Sequence, residues 1–178
     1  MYRASPALRA LLLLAALLGG GCFAGYEIVR YENALGDVRT LAIKGLENES
    51  YEPGVEAIVS DALVTEFMRR GALQLIDDPG AADLVIGGAV ADVQIQSRTF
   101  SSIQFALEYA VTLRLRLEVS RRDGTKVQLD DRSLQESELY FASADVEVMR
   151  KNREEAMRRV SVILAGRVHD SLFERSVP

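Results

Sequence analysis

The chain has 178 residues, with 21 basic and 26 acidic side chains and a formal net charge of −5. This acidic balance argues against broad binding to nucleic acid. The single cysteine and single histidine exclude an intrachain disulfide and a Cys/His metal site, and nothing in the composition calls for a cofactor. The length suits one domain with its own hydrophobic core.

Residues 1–21 are predicted to be an export signal peptide. Arg3 and Arg9 make the start positive, residues 11–18 form an unbroken Leu/Ala block, and three glycines follow. This order of charge, apolar block and small residues is the layout of an export signal. The apolar block is too short to span a bilayer as a helix, so cleavage is expected rather than a transmembrane anchor.

The end of this segment resembles a bacterial lipobox, in which small residues precede a cysteine that is lipidated. Gly19 stands where leucine is usual, and Cys22 is the only cysteine. The resemblance implies that Cys22 becomes the new N-terminus, carrying acyl chains such as palmitate, and that residues 22–36 form its tether. Two or more acyl chains give stable membrane attachment. A secreted protein with one free thiol remains the alternative.

The first elements of the domain are a strand and a helix. Residues 38–43 alternate apolar and polar side chains, which predicts a strand, and residues 45–54 carry turn formers, which predicts a loop. From about Pro53 to Arg70, apolar residues recur at three- and four-residue steps, which predicts a helix with one buried stripe. Gly71 is the expected left-handed cap.

Strands dominate the middle of the chain. A short strand is predicted over residues 73–76 and a long bent strand over 83–97, in which Gly87 and Gly88 indicate a bulge or a close backbone contact. Residues 107–119 alternate most regularly, which predicts a strand with one covered and one wet face. An Asp-Gly turn follows over residues 121–126.

The chain returns through Val127 and Leu129, an irregularity at Asp130 and Asp131, and residues 134 to about 137. A second helix is predicted over about 145–173. This order predicts an α+β fold in which two helices pack on one face of a mainly antiparallel, four- to five-stranded sheet. Residues 37–178 are predicted to form this single domain.

The residues offer no catalytic set. A nucleophile needs a base within hydrogen-bond reach, and His169, the only histidine, is predicted to be a helix-surface residue. Paired carboxylates such as Asp77 and Asp78 fall in loops and turns, where solvated charge is ordinary. The sequence therefore predicts a protein that is not an enzyme.

Basic residues offer a second hypothesis. One group of basic residues falls on the loops and the solvent-exposed face of the antiparallel strand pair: Arg98, Arg114, Arg116, Arg121, Arg122 and Lys126. A second group lies early in the second helix: Arg150, Lys151 and Arg153. Alternating charge keeps exposed strands soluble. Clustered arginines also suit phosphate, so ordinary surface and anion capture both stay open.

Six short stretches, in order and across nearly the whole mature chain, resemble the LptE family of lipopolysaccharide-assembly lipoproteins of Gram-negative outer membranes. They are residues 46–50 (LENES), 66–71 (EFMRRG), 82–88 (ADLVIGG), 106–111 (ALEYAV), 138–140 (ELY) and 152–156 (NREEA). The resemblance implies two helices on a four-stranded sheet, which agrees with the pattern read from the residues.

The resemblance also implies a function. It implies a non-enzymatic lipoprotein of the outer membrane that partners and plugs the LptD β-barrel and contacts lipopolysaccharide. The resemblance implies that the glycolipid is bound by basic residues before the strand that contains Glu108 and Tyr109, and by basic residues before the helix motif that starts at Asn152. By position these are Arg98, Arg150 and Lys151.

One alternative comes from another class of protein. A periplasmic accessory lipoprotein that activates a peptidoglycan synthase, or that serves a lipid transporter, also places an α+β domain behind a lipidated cysteine. Gene neighbourhood and recovery of a β-barrel partner separate these functions.

Overall fold

The computed structural model describes residues 35–100, 106–130 and 134–174, and Cys22 lies outside them. The helices and strands in chain order are β1 (Thr40–Ile43), β2 (Glu47–Asn48), α1 (Val55–Arg70), β3 (Gln74–Leu75), β4 (Leu84–Phe100), β5 (Ala106–Arg121), β6 (Lys126–Val127), β7 (Gln135–Phe141) and α2 (Val146–Glu174).

The predicted α+β class is confirmed, and the described residues form two helices and one sheet. The sheet is mixed and has seven strands in this part of the chain, so the predicted count of four to five is wrong, because β2, β3 and β6 have only two residues each and carry no repeating pattern. The strand order is β3-β1-β4-β5-β6, with β2 also paired to β4 and β7 also paired to β5. Strands β4 to β7 pair antiparallel, as predicted, whereas β1 pairs parallel with both β3 and β4. Because helix α1 returns the chain between β1 and β3, these strands can run in the same direction.

The β4–β5 ladder is the longest pairing in the sheet, running from Leu84 opposite Arg121 to Phe100 opposite Ala106. The predicted alternation of β5 is confirmed, since its odd-numbered residues face the helices and its charged residues face water. The buried residues are Val111, Leu113, Leu115 and Val119, and the exposed ones are Arg114, Arg116 and Glu118.

Helix α1 begins and ends close to the predicted residues. Its buried stripe has a four-residue spacing and consists of Val55, Val59, Leu63 and Phe67. Gly71 adopts the expected left-handed conformation, with φ of 64°, and its N–H donates to the Phe67 carbonyl at 3.1 Å. This cap satisfies a carbonyl at the helix end and turns the chain into β3.

An ion-pair network joins the two helices. Arg70 of α1 binds Asp170 of α2 at 2.8 Å and Glu66 at 2.7 Å. The hydrogen bond from Arg69, assisted by Arg70, lowers the pKa of Glu66 below its usual value although partial burial opposes the shift. Helix α2 continues through Gly166, where an added Cβ would lie 3.7 Å from the Glu66 Oε1 atom. Neither described helix is long and apolar enough to cross a membrane.

Two local features differ from the sequence predictions. The predicted loop at residues 45–54 contains β2, which pairs parallel with β4, and β7 continues four residues beyond 137 to Phe141. Of the two alternatives predicted for Gly87 and Gly88, the close backbone contact is confirmed. Gly88 has φ of 138° and lies close to the backbone of β5, whereas the register shifts of β4 follow Val90, Ser97 and Thr99.

We predict that Gly88→Ala destabilises the domain by more than about 2 kcal/mol, because its Cβ has no room and its backbone is strained. An ideal Cβ at Gly88 would lie 2.1 Å from the Arg116 carbonyl oxygen. Gly87→Ala is the matched control, since its nearest neighbour is the Lys44 side chain at 3.6 Å. Urea unfolding of both variants measures the difference, and equal midpoints would contradict it.

Candidate functional site

The far end of the β4–β5 hairpin, the end of β7 and the start of α2 meet at one end of the domain. Tyr140 of β7 is opposite Tyr109 of β5, and their stacked rings have centroids 5.5 Å apart. The Asn152 amide of α2 donates to the Phe141 carbonyl of β7 at 3.0 Å. We name this end the hairpin tip, made of residues 95–99, 107–109, 139–141 and 146–152.

Large apolar side chains are exposed at the hairpin tip. In the described part of the chain nine such side chains are exposed, and six belong to the tip: Ile95, Leu107, Leu139, Phe141, Val146 and Val148. Phe141 is 70% exposed and Val146 is 78% exposed. Scattered exposed apolar residues are ordinary, but a cluster of them marks a surface that contacts a partner or a lipid.

The sequence analysis did not identify the apolar half of this surface. Leu139 and Phe141 lie beyond 137, the predicted end of their strand, although their alternation with Glu138 and Tyr140 is the signal of a strand face. Leu139 pairs with Ala110 and Phe141 pairs with Glu108. These partners belong to the even-numbered side of β5, which faces away from the helices, so both side chains lie on the sheet face opposite the helices.

All three basic residues implied by the family resemblance lie at the hairpin tip. Arg98 is exposed and is the extra residue in a register shift between Ser97 and Thr99. Arg150 and Lys151 are exposed in the second turn of α2. Within residues 35–100, 106–130 and 134–174, neither Arg98 nor Lys151 forms an ion pair, and no hydrogen bond links Arg98 to the other two.

Arg150 differs from the other two because glutamates already bind it. The Asp145 carboxylate caps α2 by accepting from the N–H groups of Glu147 at 2.8 Å and Val148 at 3.1 Å. One turn later, Arg150 binds Glu147 at 3.0 Å and Glu154 at 3.3 Å. Such exposed pairs contribute about 1 kcal/mol or less each, so an anionic ligand can replace them.

A groove of about 380 Å³ lies between the starts of the two helices, beside the hairpin tip. Its lining combines apolar side chains with arginines and glutamates: Glu52, Pro53, Gly54, Ile58, Arg150, Arg153, Glu154 and Met157. Arg153 binds Glu52 across it at 3.3 Å. The groove therefore extends the amphipathic character of the tip along α2.

Apart from Arg98, the cations predicted on the loops and solvent-exposed face of the antiparallel pair each have a partner. Arg121 donates to the Leu35 carbonyl at 3.4 Å, and the other four bind side chains. The pairs are Arg114 with Gln135, Arg116 with Glu49, Arg122 with Asp83 and Lys126 with Glu118. These contacts spread the charges along the sheet instead of converging them on one point. The structure thus favours the ordinary-surface interpretation for these residues over anion capture.

The prediction that His169 is a surface residue is wrong, because the side chain is fully buried. Its ring packs between Phe67, with centroids 5.2 Å apart, and Phe173, with centroids 4.4 Å apart. The Nδ1 atom lies 3.4 Å from the Asp170 carboxylate. Burial lowers the pKa of His169 below its usual value, and Asp170 offsets part of this shift.

A family model and several solved structures match the chain. The family model described as LptE, lipopolysaccharide-assembly, matches residues 38–172. None of the curated protein sequences matches the chain.

Two solved structures share the fold. The rare lipoprotein B from Shewanella oneidensis is 12% identical with a TM-score of 0.52, covering 74% of this chain and 96% of its own. An uncharacterized lipoprotein B from Nitrosomonas europaea is 12% identical with a TM-score of 0.51, covering 85% of this chain and 90% of its own. At these identities the likeness shows the fold alone.

We predict that the domain loses stability as the pH falls below about 6.5, the usual pKa of histidine. A lowered folded-state pKa means that the unfolded chain binds the proton first, so the stabilisation is present above the unfolded pKa and is lost as the pH falls. Urea unfolding between about pH 8 and pH 5 measures how the stability changes with pH. This pH window lies above the range where carboxylates titrate. His169→Phe should flatten the slope, and an unchanged slope would contradict the assignment.

Proposed function

Because the chain belongs to the LptE family of lipopolysaccharide-assembly proteins, we propose that it partners and plugs an LptD-like β-barrel in the outer membrane. In this role it contacts lipopolysaccharide during assembly at the cell surface. The family is one of non-enzymatic envelope lipoproteins. The observation that carries the proposal is the hairpin tip, where exposed apolar side chains lie beside Arg98, Arg150 and Lys151.

The chemistry of the hairpin tip suits a phosphorylated glycolipid. Acyl chains gain from contact with exposed side chains such as Val146 and Val148, because burying one large apolar side chain contributes about 1.5–3 kcal/mol. The phosphate groups of the same molecule are complementary to arginine and lysine. One end of the domain therefore offers both kinds of contact that an amphipathic anion requires.

The three cations have different roles in this proposal. Arg98 and Lys151 have no ion pair within the described residues, so they bind phosphate without losing an existing partner. Arg150 exchanges Glu147 and Glu154 for phosphate. Because the N-terminal turns of a helix also favour anions, the start of α2 adds to the attraction.

The anchor is proposed to be Cys22. Cleavage after residue 21 and acylation of Cys22 would hold the domain at the inner surface of the outer membrane, since two or more acyl chains give stable attachment. The tether of residues 22–36 then joins the lipid to β1. A domain held in this way stays close to a membrane-embedded barrel without a transmembrane helix.

The open sheet face offers a surface for the barrel. Near the hairpin tip it combines Leu139 and Phe141 with polar residues such as Thr112, whose hydroxyl bonds the Ser137 hydroxyl at 2.6 Å. Mixed apolar and polar area of this kind is typical of protein interfaces. The helices cover the opposite face and thus leave this one to a partner.

We predict that the full chain, isolated from its own membranes in mild detergent, co-purifies with a large β-barrel protein. Mass spectrometry of the preparation should identify both the barrel and an acylated N-terminal peptide beginning at Cys22. A Cys22→Ser variant should lose the acyl mass and leave the membrane fraction. Repeated recovery of the lipidated protein with a peptidoglycan synthase or a transporter instead of a barrel would overturn the proposed function.

We predict that changing Arg98, Arg150 and Lys151 together to Ala weakens binding of purified lipopolysaccharide at least tenfold, since each charge-assisted contact contributes about 1.5–3 kcal/mol. Barrel co-purification should be unchanged, because the variant keeps the open sheet face. Binding is measured with immobilised protein and a dilution series of lipopolysaccharide.

The matched control removes the same amount of charge at the other end of the domain. Lys44 and Lys126 are exposed, and the Arg69 side chain is 64% exposed. Changing these three to Ala should reduce binding less than threefold, as expected for a long-range charge effect alone. Equal losses in both triple variants would discard the hairpin tip as the binding site.

A further inference from the structure

Strand β4 contains two adjacent glycines, and the fold accounts for only one of them. Gly88 is required, because an added Cβ would lie 2.1 Å from the Arg116 carbonyl oxygen. At Gly87 an added Cβ would lie 3.6 Å from the Lys44 side chain, which is an ordinary contact, and the backbone is outside the left-handed region. Glycine inside a strand lowers stability, and it often marks a place where a ligand or another chain approaches closely. Gly87 therefore indicates a contact outside this fold.

Gly87 lies at the floor of a recess in the open sheet face. It is opposite Glu118, whose side of β5 faces away from the helices. The recess has a volume of about 340 Å³, which is small for a ligand pocket and suits one large side chain. Its walls include six side chains: Lys44, Glu47, Val85, Ala89, Arg116 and Glu118.

The charges at the rim of the recess do not select an ion. Arg116 is bound to Glu49, and Glu118 is bound to Lys126 at 3.3 Å. The Arg116 and Glu118 side chains are still 62% and 69% exposed, so a partner can reach the rim. Because both signs of charge surround the recess, a cation or an anion would meet repulsion as well as attraction. The recess thus favours a neutral occupant.

An aromatic ring fits this environment best among neutral side chains. Glu118 lies across from Gly87, and the neighbours along β4 on this face are Val85 and Ala89, so none of these residues covers the glycine with a ring. An aromatic side chain beside a glycine in a sheet compensates for the missing side chain. The ring face also attracts the cations of the rim. Tyr, Trp and Phe are enriched in the buried centre of protein interfaces.

We propose that the recess over Gly87 receives an aromatic side chain of the β-barrel partner, with the ring lying on the glycine. The inference rests on the proposed function, since it assigns one contact within the open sheet face. A side chain of this chain that fills the recess must then exclude the partner without disturbing the fold.

The test fills the recess with a ring at position 87. Gly87→Phe in the full-length lipoprotein should weaken association with the barrel at least about tenfold, the effect of losing one central aromatic contact. Its urea midpoint should not fall, because a residue that favours strands replaces glycine. Association is measured as the barrel recovered with the lipoprotein from its own membranes, over a dilution series in mild detergent.

Two variants serve as controls. Gly87→Ala leaves most of the recess empty and should weaken association much less than Gly87→Phe. Thr65→Phe adds the same ring at an exposed position of α1 and should leave association unchanged. A Gly87→Phe variant that retains the barrel like the wild type would overturn this inference and leave the proposed function standing. Recovery of the wild-type lipoprotein without any barrel would overturn both.

A second measurement identifies the occupant and leaves Gly87 in place. A photo-crosslinking amino acid at Glu118 of the lipoprotein, in the purified complex, should capture a barrel peptide that contains Tyr, Phe or Trp. Changing that aromatic residue to Ala should weaken association as much as Gly87→Phe does. Combining the two changes should cause no further loss, because both remove the same contact. Additive losses, a captured peptide without an aromatic residue, or no crosslink to the barrel would overturn the inference.

Discussion

The antiparallel ladder between β4 and β5 is the constraint on which the rest of the structure depends. Its register, from Leu84 opposite Arg121 to Phe100 opposite Ala106, sets one face of both strands toward the helices. Apolar residues on that face are buried in the middle of the ladder, but Ile95 and Leu107 near its end are 38% and 47% exposed. The hairpin therefore extends beyond the cover that the helices provide, and its end is an exposed amphipathic surface.

The same ladder explains why the basic residues gather at one end. Strand β7 runs beside β5 and ends opposite Glu108, so the connection that follows must start α2 near the end of the hairpin. Asp145 then caps the helix there, which brings the first basic residues of α2 to the end that already carries Arg98. The proximity of residues distant in sequence is thus a consequence of strand register and one helix cap.

The sequence predicted the elements whose physical signal is repeated over many residues. Strand β5 and helix α1 have long periodic patterns, so their faces were predictable. Strand β2 has only two residues, both exposed, and only its pairing with β4 defines it. His169 belongs to a second row of α2 that is buried at four-residue steps: Met157, Ser161, Ala165, His169 and Phe173. A helix that packs on both a sheet and another helix buries a wider arc of its surface than one stripe. Because this arc includes polar residues, the sequence does not show it as an apolar pattern.

The candidate site could be predicted only in part, because its cations came from the family resemblance whereas its apolar residues depend on the register. The contacts also rank those cations. A ligand that binds Arg150 must replace Glu147 and Glu154, which removes up to about 1 kcal/mol per exposed pair from the gain. Arg98 and Lys151 carry no such cost within the described residues. For the same phosphate contact they therefore contribute more net affinity than Arg150, although all three are equal in charge.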